Sequence, residues 1–493
     1  MRLNAKQFED IALEQLSQII RRQRWFRSKS KSVDAADLED FSFFEAGGNS
    51  FVLPLIRFAY NDGSSETYFV PLLCSEREHG AGAGFSFHVH VGGSEVHFSD
   101  AFHDSTFVRS LLFLMERGAT IAFAKGRLTG RSMLPTAGMQ ITAEAQTKVV
   151  SSEQSNTSVM IGNHSIYKSY RRIDRGINPD YEMPEFLYAH TTFRALPRPL
   201  GRLEYLNGGE HAVGVLSEYV ENEGDCWTYF LSRLTEALKR GDGVKTCFEH
   251  VAALADITSS MHNALSGAAL PAFTPSPVNA EDINGWMSNY ESLLHSTCAT
   301  LRRTSGSLTD EDRMLASSIL DEEDKLSRAG SVLRVLSDER VCATRIHGDY
   351  HLGQILKAGT SFFVIDFEGE PMRPPEERRR MNSPLKDVGG MLRSLDYVIG
   401  AAARSAGIPA WDETVESWRN GAAELFTVKY MEGYSPSMPY LPSRLADMAD
   451  VLHFFLVEKA VYELDYELNN RPDWVHIPLD ALVRLSAASG GPS

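Results

Sequence analysis

The chain has 493 residues and a formal net charge of −16, which predicts more than one packed subdomain and argues against nucleic acid as the main partner, since phosphate backbones select basic faces. Its 43% hydrophobic and 23% charged residues are typical of globular proteins, and no apolar run reaches the roughly 18 residues of a membrane-spanning helix. The five cysteines are scattered and form no CxxC pair, which argues against a disulfide framework or a zinc site and favours a reducing compartment.

Residues 1–100 predict a small α+β module. The start, MRLNAKQFEDIALEQL, is charged and lacks the apolar core of a signal peptide, so we expect a cytoplasmic protein. Apolar residues recur at helical spacing over residues 6–22, which predicts a helix. The runs FVLPLIRFAY and ETYFVPLL then read as strands joined by an Asn-Asp-Gly turn at residues 61–63. Residues 78–94, rich in Gly and His, predict a loop followed by a strand.

Residues 101–220 predict a second subdomain, which starts with a helix over 104–117. From about residue 140, the runs ITAEAQTKVV, TSVMI and SIYKSYRR predict strands, and a polar loop separates the first two. A kinase small lobe has the same order of elements: a strand, a polar loop, a second strand, a turn and a third strand with an inward lysine. A helix near 184–193 and a strand over 212–219 follow, and the end of that strand is a candidate hinge.

The remainder, residues 221–493, predicts a mainly helical lobe. Amphipathic patterns predict helices at about 225–240, 244–264, 280–305, 309–336, 386–404, 411–430 and 441–470. The segment 345–370 is richer in strand-forming residues, so we expect a β-rich island among these helices.

The run RIHGDYHLGQILKAGTSFFVIDFEGE, which begins at Arg345, carries the strongest chemical signal. Asp349, Gln354 and Asp366 stand in it at the spacing of the catalytic and metal-binding loops of protein-kinase-like phosphotransferases. We therefore predict that Asp349 orients the attacking hydroxyl and accepts its proton, and that Gln354 and Asp366 hold Mg²⁺ for ATP. Each residue alone would more commonly cap a turn or bond its own loop; the combination favours catalysis.

Candidate nucleotide-binding residues lie between 101 and 220. Lys168 sits in the strand SIYKSY among apolar neighbours, where an ATP phosphate would be a suitable partner. An isolated lysine of this kind would instead face solvent. Its partner on the following helix is predicted to be Glu182, with Glu185 as the alternative. The polar loop that precedes the strand of Lys168 contains no glycine. It is either a plain polar turn or a loop whose side chains bind the phosphates of ATP. The side chains in question are those of Gln154, Ser155, Asn156, Thr157 and Ser158.

Candidate residues for binding the acceptor sugar lie in the catalytic segment, just after it and near the C-terminus. In EKAVYELDYELNNRPDW, Lys459, Glu463 and Glu467 share one helical face, and Tyr462 and Tyr466 share an adjacent one. Such faces can bind sugar hydroxyls, although an exposed Lys–Glu pair beside buried tyrosines explains the same pattern. The candidates for acceptor binding are Asp349, His351, Glu368, Arg373, Tyr462, Glu463, Tyr466 and Glu467.

Several motifs together resemble the maltokinase family, bacterial sugar kinases with an aminoglycoside-phosphotransferase-like fold. The resemblance spans almost the whole chain and includes RQRWF, EQSNTSV, YKSYRRIDRGINPDYE, HGDYHLGQIL, VIDFEGEPMRPPEERRRMNSPLKDVGGMLRSLDY and YELDYELNNRPDWVHIPL. It implies an α+β, bilobal, protein-kinase-like fold. Its parts would be an N-terminal cap subdomain (1–100), an intermediate subdomain that completes the small lobe (101–220) and a helical C-lobe (221–493).

The resemblance also implies an activity. Members transfer the γ-phosphate of ATP to the anomeric hydroxyl of maltose, giving maltose 1-phosphate for α-glucan synthesis, and often work beside or fused to trehalose synthase, which is therefore a candidate partner. By motif, Lys168 becomes the phosphate-binding lysine, and Glu218, Tyr219 and Val220 become the hinge that holds adenine. Tyr350 stands where the family usually has Leu, at a position expected to lie close to the acceptor.

Two alternatives stay open. Related enzymes of the same fold phosphorylate glucosamine at the 6-hydroxyl, and the acidic, tyrosine-rich helix at 459–467 would suit an ammonium group. The alternative from another class is a catalytically silent scaffold for trehalose synthase. The retention of Asp349, Gln354, Asp366 and Lys168 argues against a scaffold, which needs none of them.

Overall fold

The computed structural model of the protein describes residues 4–29, 31–76, 84–91, 93–133, 145–150, 156–241, 245–267, 270–370, 373, 375–409, 411–436 and 439–488. The chain forms two compact units. Unit 1 comprises Met1–Ala189, Pro197–Glu221 and Pro371–Arg378, and unit 2 comprises His190–Leu196, Asn222–Glu370 and Arg379–Ser493. The finer division of unit 1 near residue 100 stays a prediction.

The described residues form an α+β structure. Its helices, in chain order, are α1 (Ala5–Arg22), α2 (Ser105–Arg117), α3 (Pro179–His190), α4 (Cys226–Arg240), α5 (Phe248–Ser266), α6 (Ala280–Thr304), α7 (Asp310–Asp321), α8 (Glu323–Arg328), α9 (Arg334–Asp338), α10 (Pro375–Arg378), α11 (Leu385–Ala406), α12 (Glu413–Gly433), α13 (Leu445–Asn470) and α14 (His476–Ala488). Its strands are β1 (Val33–Ala46), β2 (Asn49–Tyr60), β3 (Ser65–Phe69), β4 (Leu72–Ser75), β5 (Ser86–Val91), β6 (Ser94–Asp100), β7 (Thr120–Ala122), β8 (Arg127–Ser132), β9 (Thr147–Val150), β10 (Asn156–Ile161), β11 (Ser165–Tyr170), β12 (Pro199–Leu206), β13 (Glu210–Glu218), β14 (Ser276–Pro277), β15 (Cys342–Ala343), β16 (Ile355–Ala358) and β17 (Ser361–Val364).

Unit 1 begins with α1 packed on an antiparallel sheet of order β1-β2-β4-β6-β5, in which β3 also pairs with β2. The helix starts at a capping box between Asn4 and Gln7, which satisfies backbone N–H groups that the first turn leaves without partners. Its apolar stripe, including Phe8, Leu16 and Ile20, is buried in the core of this sheet. The helix predicted from residues 6–22 is confirmed.

The hairpin between β2 and β3 is also confirmed. Gly63 adopts a φ of +80°, and Asp62 accepts a hydrogen bond of 2.9 Å from the Ser64 amide, as an Asn-Asp-Gly turn requires. In contrast, β1 was not predicted, because VDAADLEDFSFFEA has charged residues and no regular apolar alternation. Pairing along the whole of β2 makes this segment a strand.

The second sheet of unit 1 has the order β7-β8-β12-β13-β11-β10-β9 and packs against α2. Leu111 of α2 and Leu128 and Leu203 of the sheet lie together in its core. β10 and β11 pair so that Ser158 lies opposite Lys168. The strands predicted from TSVMI and SIYKSYRR are present as β10 and β11. Of the predicted strand ITAEAQTKVV, residues 141–144 lie outside the described residues and Thr147–Val150 forms β9. Two further strands of this sheet, β8 and β12, were not predicted.

Unit 2 contains most of the remaining helices and the antiparallel hairpin β16–β17. The long helix expected over 309–336 is instead divided into α7, α8, 3-10 turns and α9. The β-rich island at 345–370 is this hairpin, whose two ends carry Gln354 and Asp366. Among the described residues, no helix has the length and apolar character needed to cross a membrane.

Candidate active site

The catalytic segment of unit 2 is held in place by a buried carboxylate on α11. Asp387 accepts hydrogen bonds from the backbone amides of His347 at 2.7 Å and Gly348 at 2.9 Å. The Nε2 of His262 lies 3.2 Å from the same carboxylate. Burial raises the pKa of Asp387, but the bonds and charges that His262 and its neighbours supply give a net lowering. Asp387 is therefore an anion that fixes the backbone immediately before Asp349.

Two glycines let the chain turn and approach α11 at this point. Gly348 has a φ of +84°, a left-handed conformation that side chains rarely adopt. Gly390 of α11 lies so close to the loop that an added Cβ would stand 2.7 Å from the carbonyl oxygen of Tyr350. The helix can thus approach the catalytic loop only with glycine at this position.

Asp349 forms an ion pair with Lys459 of α13, whose Nζ donates to Oδ1 over 3.0 Å. The two side chains are only 16% and 19% exposed. Burial raises the pKa of Asp349, but the Lys459 ammonium outweighs it, and the net pKa lies below the ordinary value. Burial lowers the pKa of Lys459, yet Asp349 and other negative neighbours raise it overall. Both groups are therefore charged at neutral pH, and Asp349 is an anion.

The predicted metal ligands meet at the open end of the β16–β17 hairpin. Gln354 Nε2 lies 3.3 Å from Asp366 Oδ2. A hydrogen bond of 2.9 Å from the Ile365 amide to the Gln354 carbonyl joins their backbones. His347 Nε2 lies 3.0 Å from the Ile365 carbonyl oxygen, which links this end to the catalytic loop. Asp366 has a φ of +61°, a strained conformation that is concentrated at functional sites.

These residues fit a magnesium ion by the chemistry of their donors. The Asp366 carboxylate and the Gln354 amide oxygen are the hard ligands that Mg²⁺ prefers, and a rotation of the Gln354 amide would present its oxygen instead of its nitrogen. Gln354 and Asp366 are in contact at one end of the hairpin, and His347 connects that end to the loop of Asp349, since its Nδ1 accepts from the Asp349 amide over 3.4 Å and its Nε2 lies 3.0 Å from the Ile365 carbonyl oxygen.

The candidate acceptor residues of unit 2 fall into two groups. Glu463 and Glu467 are engaged in the protein: Arg393 Nη2 donates to Glu463 over 2.5 Å, and the Tyr397 hydroxyl donates to Glu467 over 2.7 Å. The Tyr462 ring, by contrast, lies 4.7 Å from the Lys459 ammonium and so stands beside Asp349.

The other candidates surround the loop or lie on the surface. His351 Nε2 lies 3.8 Å from Asp349 Oδ2, and its Nδ1 accepts from the Gly353 amide at 3.1 Å. Burial lowers the pKa of His351, so the imidazole is neutral at pH 7. Glu368 is buried, whereas Tyr466 is 43% exposed. A role of these side chains in sugar binding stays a prediction.

In unit 1, Lys168 forms an ion pair of 3.0 Å with Asp180 of α3. The Tyr170 hydroxyl donates to the same carboxylate oxygen over 2.7 Å. Glu182 was the predicted partner of Lys168, with Glu185 as the alternative; the structure pairs Lys168 with Asp180 and Glu185 with Arg202. Glu182 as a partner of Lys168 stays a prediction, since it lies in the first turn of the same helix.

The predicted phosphate loop is partly strand. Gln154 and Ser155 lie outside the described residues, and Asn156 begins β10. Thr157 and Ser158 are buried in that strand, and the Thr157 hydroxyl accepts a hydrogen bond of 2.7 Å from Arg171 Nε. These two side chains thus contribute to packing rather than to an open polar turn.

The candidate hinge follows β13. The Tyr219 amide donates to the His164 carbonyl over 2.8 Å, which ties the segment to the β10–β11 turn. The Glu218 side chain is half exposed and lies 3.6 Å from Arg198, and Val220 follows outside the strand. Adenine binding by Glu218, Tyr219 and Val220 stays a prediction.

Arg373, a further acceptor candidate, is in unit 1 and lies 4.0 Å from Glu377.

The sequence analysis did not predict two residues, Asp387 and Asp180, or the contact of Lys459 with Asp349. Asp387 stands in the run PLKDVGG, where an aspartate shortly before two glycines was a usable signal. Asp180 precedes the expected Glu182 by two residues. Lys459 was noted only as part of a helical face, because spacing along α13 does not show which loop it meets.

Comparisons with known proteins were made for the whole chain. No protein-family model matches it. A glucosamine kinase of Mycolicibacterium smegmatis is 27% identical over 338 residues, which are 68% of this chain and 78% of the relative. A glucosamine kinase of Streptacidiphilus jiangxiensis is 26% identical over 390 residues, 78% of this chain and 81% of the relative.

Solved structures give a similar result. A glucosamine kinase in complex with glucosamine, ADP and inorganic phosphate superposes with a TM-score of 0.65 at 19% identity, covering 92% of this chain and 94% of that one. Another crystal form of a glucosamine kinase gives a TM-score of 0.67, also at 19% identity, over 94% of this chain and 96% of that one. The predicted fold is confirmed: the chain has the bilobal α+β fold of aminoglycoside phosphotransferases and protein kinases, with a helical C-lobe.

Asp349, Gln354 and Asp366 lie on one loop and one hairpin of a fold that this chain shares with a glucosamine kinase. The relatives described above are glucosamine kinases rather than maltokinases.

Proposed function

We propose that this protein is an ATP-dependent sugar kinase and that its acceptor is glucosamine, phosphorylated at the 6-hydroxyl. The observation that carries the proposal is the anionic Asp349 beside Gln354 and Asp366, in a fold shared with a glucosamine kinase that binds glucosamine and ADP. Two relatives, which are 27% and 26% identical to this chain, are also named glucosamine kinases.

Three carboxylates near Lys459 are candidate partners for the ammonium of an amino sugar. Asp349, Glu370 and Glu463 raise the pKa of Lys459 against the effect of burial, and an opposite charge close by favours the charged form of an ammonium group. Glucosamine carries an ammonium group at neutral pH, whereas maltose and glucose are uncharged.

Asp349 acts on the acceptor hydroxyl in the proposed reaction. The hydroxyl oxygen forms a bond to the γ-phosphorus of ATP, and the bond from that phosphorus to the bridging oxygen of ADP breaks. The proton of the hydroxyl passes to the Asp349 carboxylate, which Lys459 and the backbone anchor at Asp387 hold in place. ADP and the sugar phosphate are then released.

The phosphates of ATP need positive charge and metal ligands. We propose that Lys168 binds a phosphate oxygen in exchange for part of its contact with Asp180. Asp366 and Gln354 would hold Mg²⁺, which when bound neutralises phosphate charge. Adenine contacts by the segment at 218–220 belong to the same proposal.

Maltose is the second candidate acceptor, and the motif resemblance favours it. HGDYHLGQIL and the long run from Val364 to Tyr397 resemble maltokinases, and the product would then be maltose 1-phosphate. An association with trehalose synthase stays a prediction of that resemblance alone.

A phosphoryl-transfer assay tests the proposal. Purified protein with ATP and Mg²⁺ is offered glucosamine, maltose, glucose or no sugar, and the product is identified by phosphorus NMR. We expect glucosamine 6-phosphate with the highest kcat/KM. If maltose 1-phosphate formed and glucosamine did not react, the acceptor would be maltose instead. No transfer to any sugar would reject the kinase proposal and favour a scaffold.

The Asp349→Asn variant is the internal control of this assay. An amide keeps the shape of the side chain but cannot accept the proton, so we expect kcat to fall by about 10²–10⁴-fold. An unchanged kcat would show that Asp349 is not the base.

A further inference from the structure

A polar face of the first sheet of unit 1 carries three histidines and a glutamate that the kinase reaction does not use. β5 and β6 are antiparallel, with His88 opposite His97 and His90 opposite Glu95. Because side chains alternate along a strand, all four lie on the same face. The intervening residues, such as Val89 and Val96, point the other way and are buried in the core.

Three of these side chains converge. His88 Nε2 lies 3.6 Å from Glu95 Oε1, and His97 Nε2 lies 3.7 Å from the same oxygen. The candidate ligand atoms of the three residues all lie within 4.8 Å of one another. The His88 and His97 rings are 5.7 Å apart between centroids. His90 stands next along the face, with its ring 6.0 Å from that of His88.

The distances between these candidate ligand atoms are close to those in a tetrahedral metal site. Zinc bonds of about 2.0–2.2 Å to nitrogen and oxygen place neighbouring ligand atoms roughly 3.3–3.6 Å apart. The two contacts of Glu95 are close to that range already, so only small side-chain rotations are needed to close the site. Two imidazoles and one carboxylate leave the fourth position for water.

The donor set also selects the kind of ion. Imidazole nitrogen suits zinc and other late first-row divalent metals, whereas Mg²⁺ prefers oxygen ligands alone. The ring nitrogens of His88 and His97 both face the same Glu95 oxygen. That convergence is the arrangement in which one ion could bind all three side chains.

We propose that His88, Glu95 and His97 form a binding site for one Zn²⁺ ion. The sequence analysis argued against a zinc site from the scattered cysteines, whereas the proposed ligands are two histidines and a glutamate. β5 is the edge strand of its sheet, and the ion would bind it to β6. Zinc would therefore stabilise the first sheet of unit 1, independently of phosphoryl transfer.

Equilibrium zinc binding to the full-length protein tests the proposal, in buffer containing excess Mg²⁺ so that oxygen-only sites are occupied. The His88→Ala/His97→Ala double variant removes both imidazoles. His295→Ala is the matched control, because its side chain is 82% exposed and lies on α6 of unit 2. We expect one zinc ion more per chain in the wild type and in His295→Ala than in the double variant.

Two further measurements make the result decisive. Zinc should raise the thermal unfolding temperature of the wild type but not of the double variant, since an ion that binds only the folded state stabilises it. X-ray absorption at the zinc edge of the wild type should show two imidazole ligands, whether or not the double variant folds. Equal zinc binding by wild type and double variant, or a zinc ion without imidazole ligands, would overturn the proposal.

Discussion

The charge of a single carboxylate is the central property of the site. Asp349 is buried, which favours its neutral form, yet the Lys459 ammonium at 3.0 Å keeps its pKa below the ordinary value. A base with a lowered pKa is anionic over the whole neutral range and loses its function only as the pH falls through that pKa. In the proposed reaction, Lys459 is therefore a positioning residue that keeps the base charged.

Replacing Lys459 by Met should move the acid limb of the pH profile of kcat/KM to higher pH. Without the ammonium, burial dominates and raises the pKa of Asp349, so the base becomes protonated at less acid pH. The profile is measured with the preferred sugar from the assay above.

Lys429→Met is the matched control for that experiment. Lys429 pairs with Glu432 on α12 and is exposed, so its loss removes the same charge without touching Asp349. An acid limb that stays in place in Lys459→Met, or that moves equally in both variants, would contradict this role of Lys459.

Tyr350, the residue after Asp349, is part of the buried interior. Its side chain is 1% exposed and its hydroxyl lies 3.0 Å from that of Thr258. The loop turns at Gly348, which places adjacent side chains in different surroundings. The expectation that Tyr350 lies close to the acceptor stays a prediction.

At the level of elements, α11 organises the catalytic loop. Asp387 in its first turn anchors the loop backbone, and Gly390 less than one turn later allows the helix to touch it. One helix therefore supplies both the hydrogen-bond acceptor and the space. Neither role shows in its amphipathic pattern, which predicts only that the helix exists.

Gly390→Ala should lower both stability and kcat. The new Cβ would lie 2.7 Å from the Tyr350 carbonyl oxygen, and overpacking of this kind costs about 1–3 kcal/mol. The helix or the loop must shift, and with it the position of Asp349. Thermal unfolding and initial rates of sugar phosphorylation measure the two effects.

Gly400→Ala on the same helix is the comparison. Its Cβ would meet Ile477 at 3.8 Å, an ordinary contact, and alanine favours a helix over glycine by up to about 1 kcal/mol. We expect this variant to be as stable as the wild type or more so, with normal kcat. If both variants behaved alike, the close approach at Gly390 would not be the cause.

Across unit 1 as a whole, Arg171 connects the two sheets. Its Nη2 donates to Asp100 at the end of β6, and its Nε donates to Thr157 of β10 over 2.7 Å. The guanidinium lies 4.9 Å from the ring of Trp25 and 4.6 Å from that of Phe102. With 1% exposure, it is a buried charge whose partners come from distant parts of the sequence.

Asp100→Asn should destabilise unit 1 strongly. Removing one partner of a buried ion pair leaves an uncompensated charge and costs about 3–5 kcal/mol. Calorimetry should show a lowered unfolding transition for this variant. The control is Asp37→Asn, since Asp37 and Arg57 form a pair that is 50% exposed on both sides and contributes at most about 1 kcal/mol. Similar shifts in the two variants would contradict the connecting role of Arg171.

Local patterns in the sequence predicted much of this molecule. The α1 helix, the β2–β3 hairpin and the helical C-lobe follow from apolar periodicity and turn residues, which act over a few positions of the chain. The order Asp349, Gln354, Asp366 pointed to the reaction class for the same reason: the three lie on one continuous loop and hairpin. β1 escaped prediction because its partner strand, rather than its own pattern, makes it extended.

Tertiary structure alone decided the partners of the charged groups. Lys459 meets Asp349 across 110 residues of sequence, and Asp387 reaches Gly348 across 39. The same holds for Asp100 and Arg171, 71 residues apart. Electrostatic energies depend on distance and burial in space, and neither can be read from spacing along the chain. The proposed reaction class therefore rests on local motifs, whereas the charge of Asp349 and the network that holds it depend on how distant segments pack.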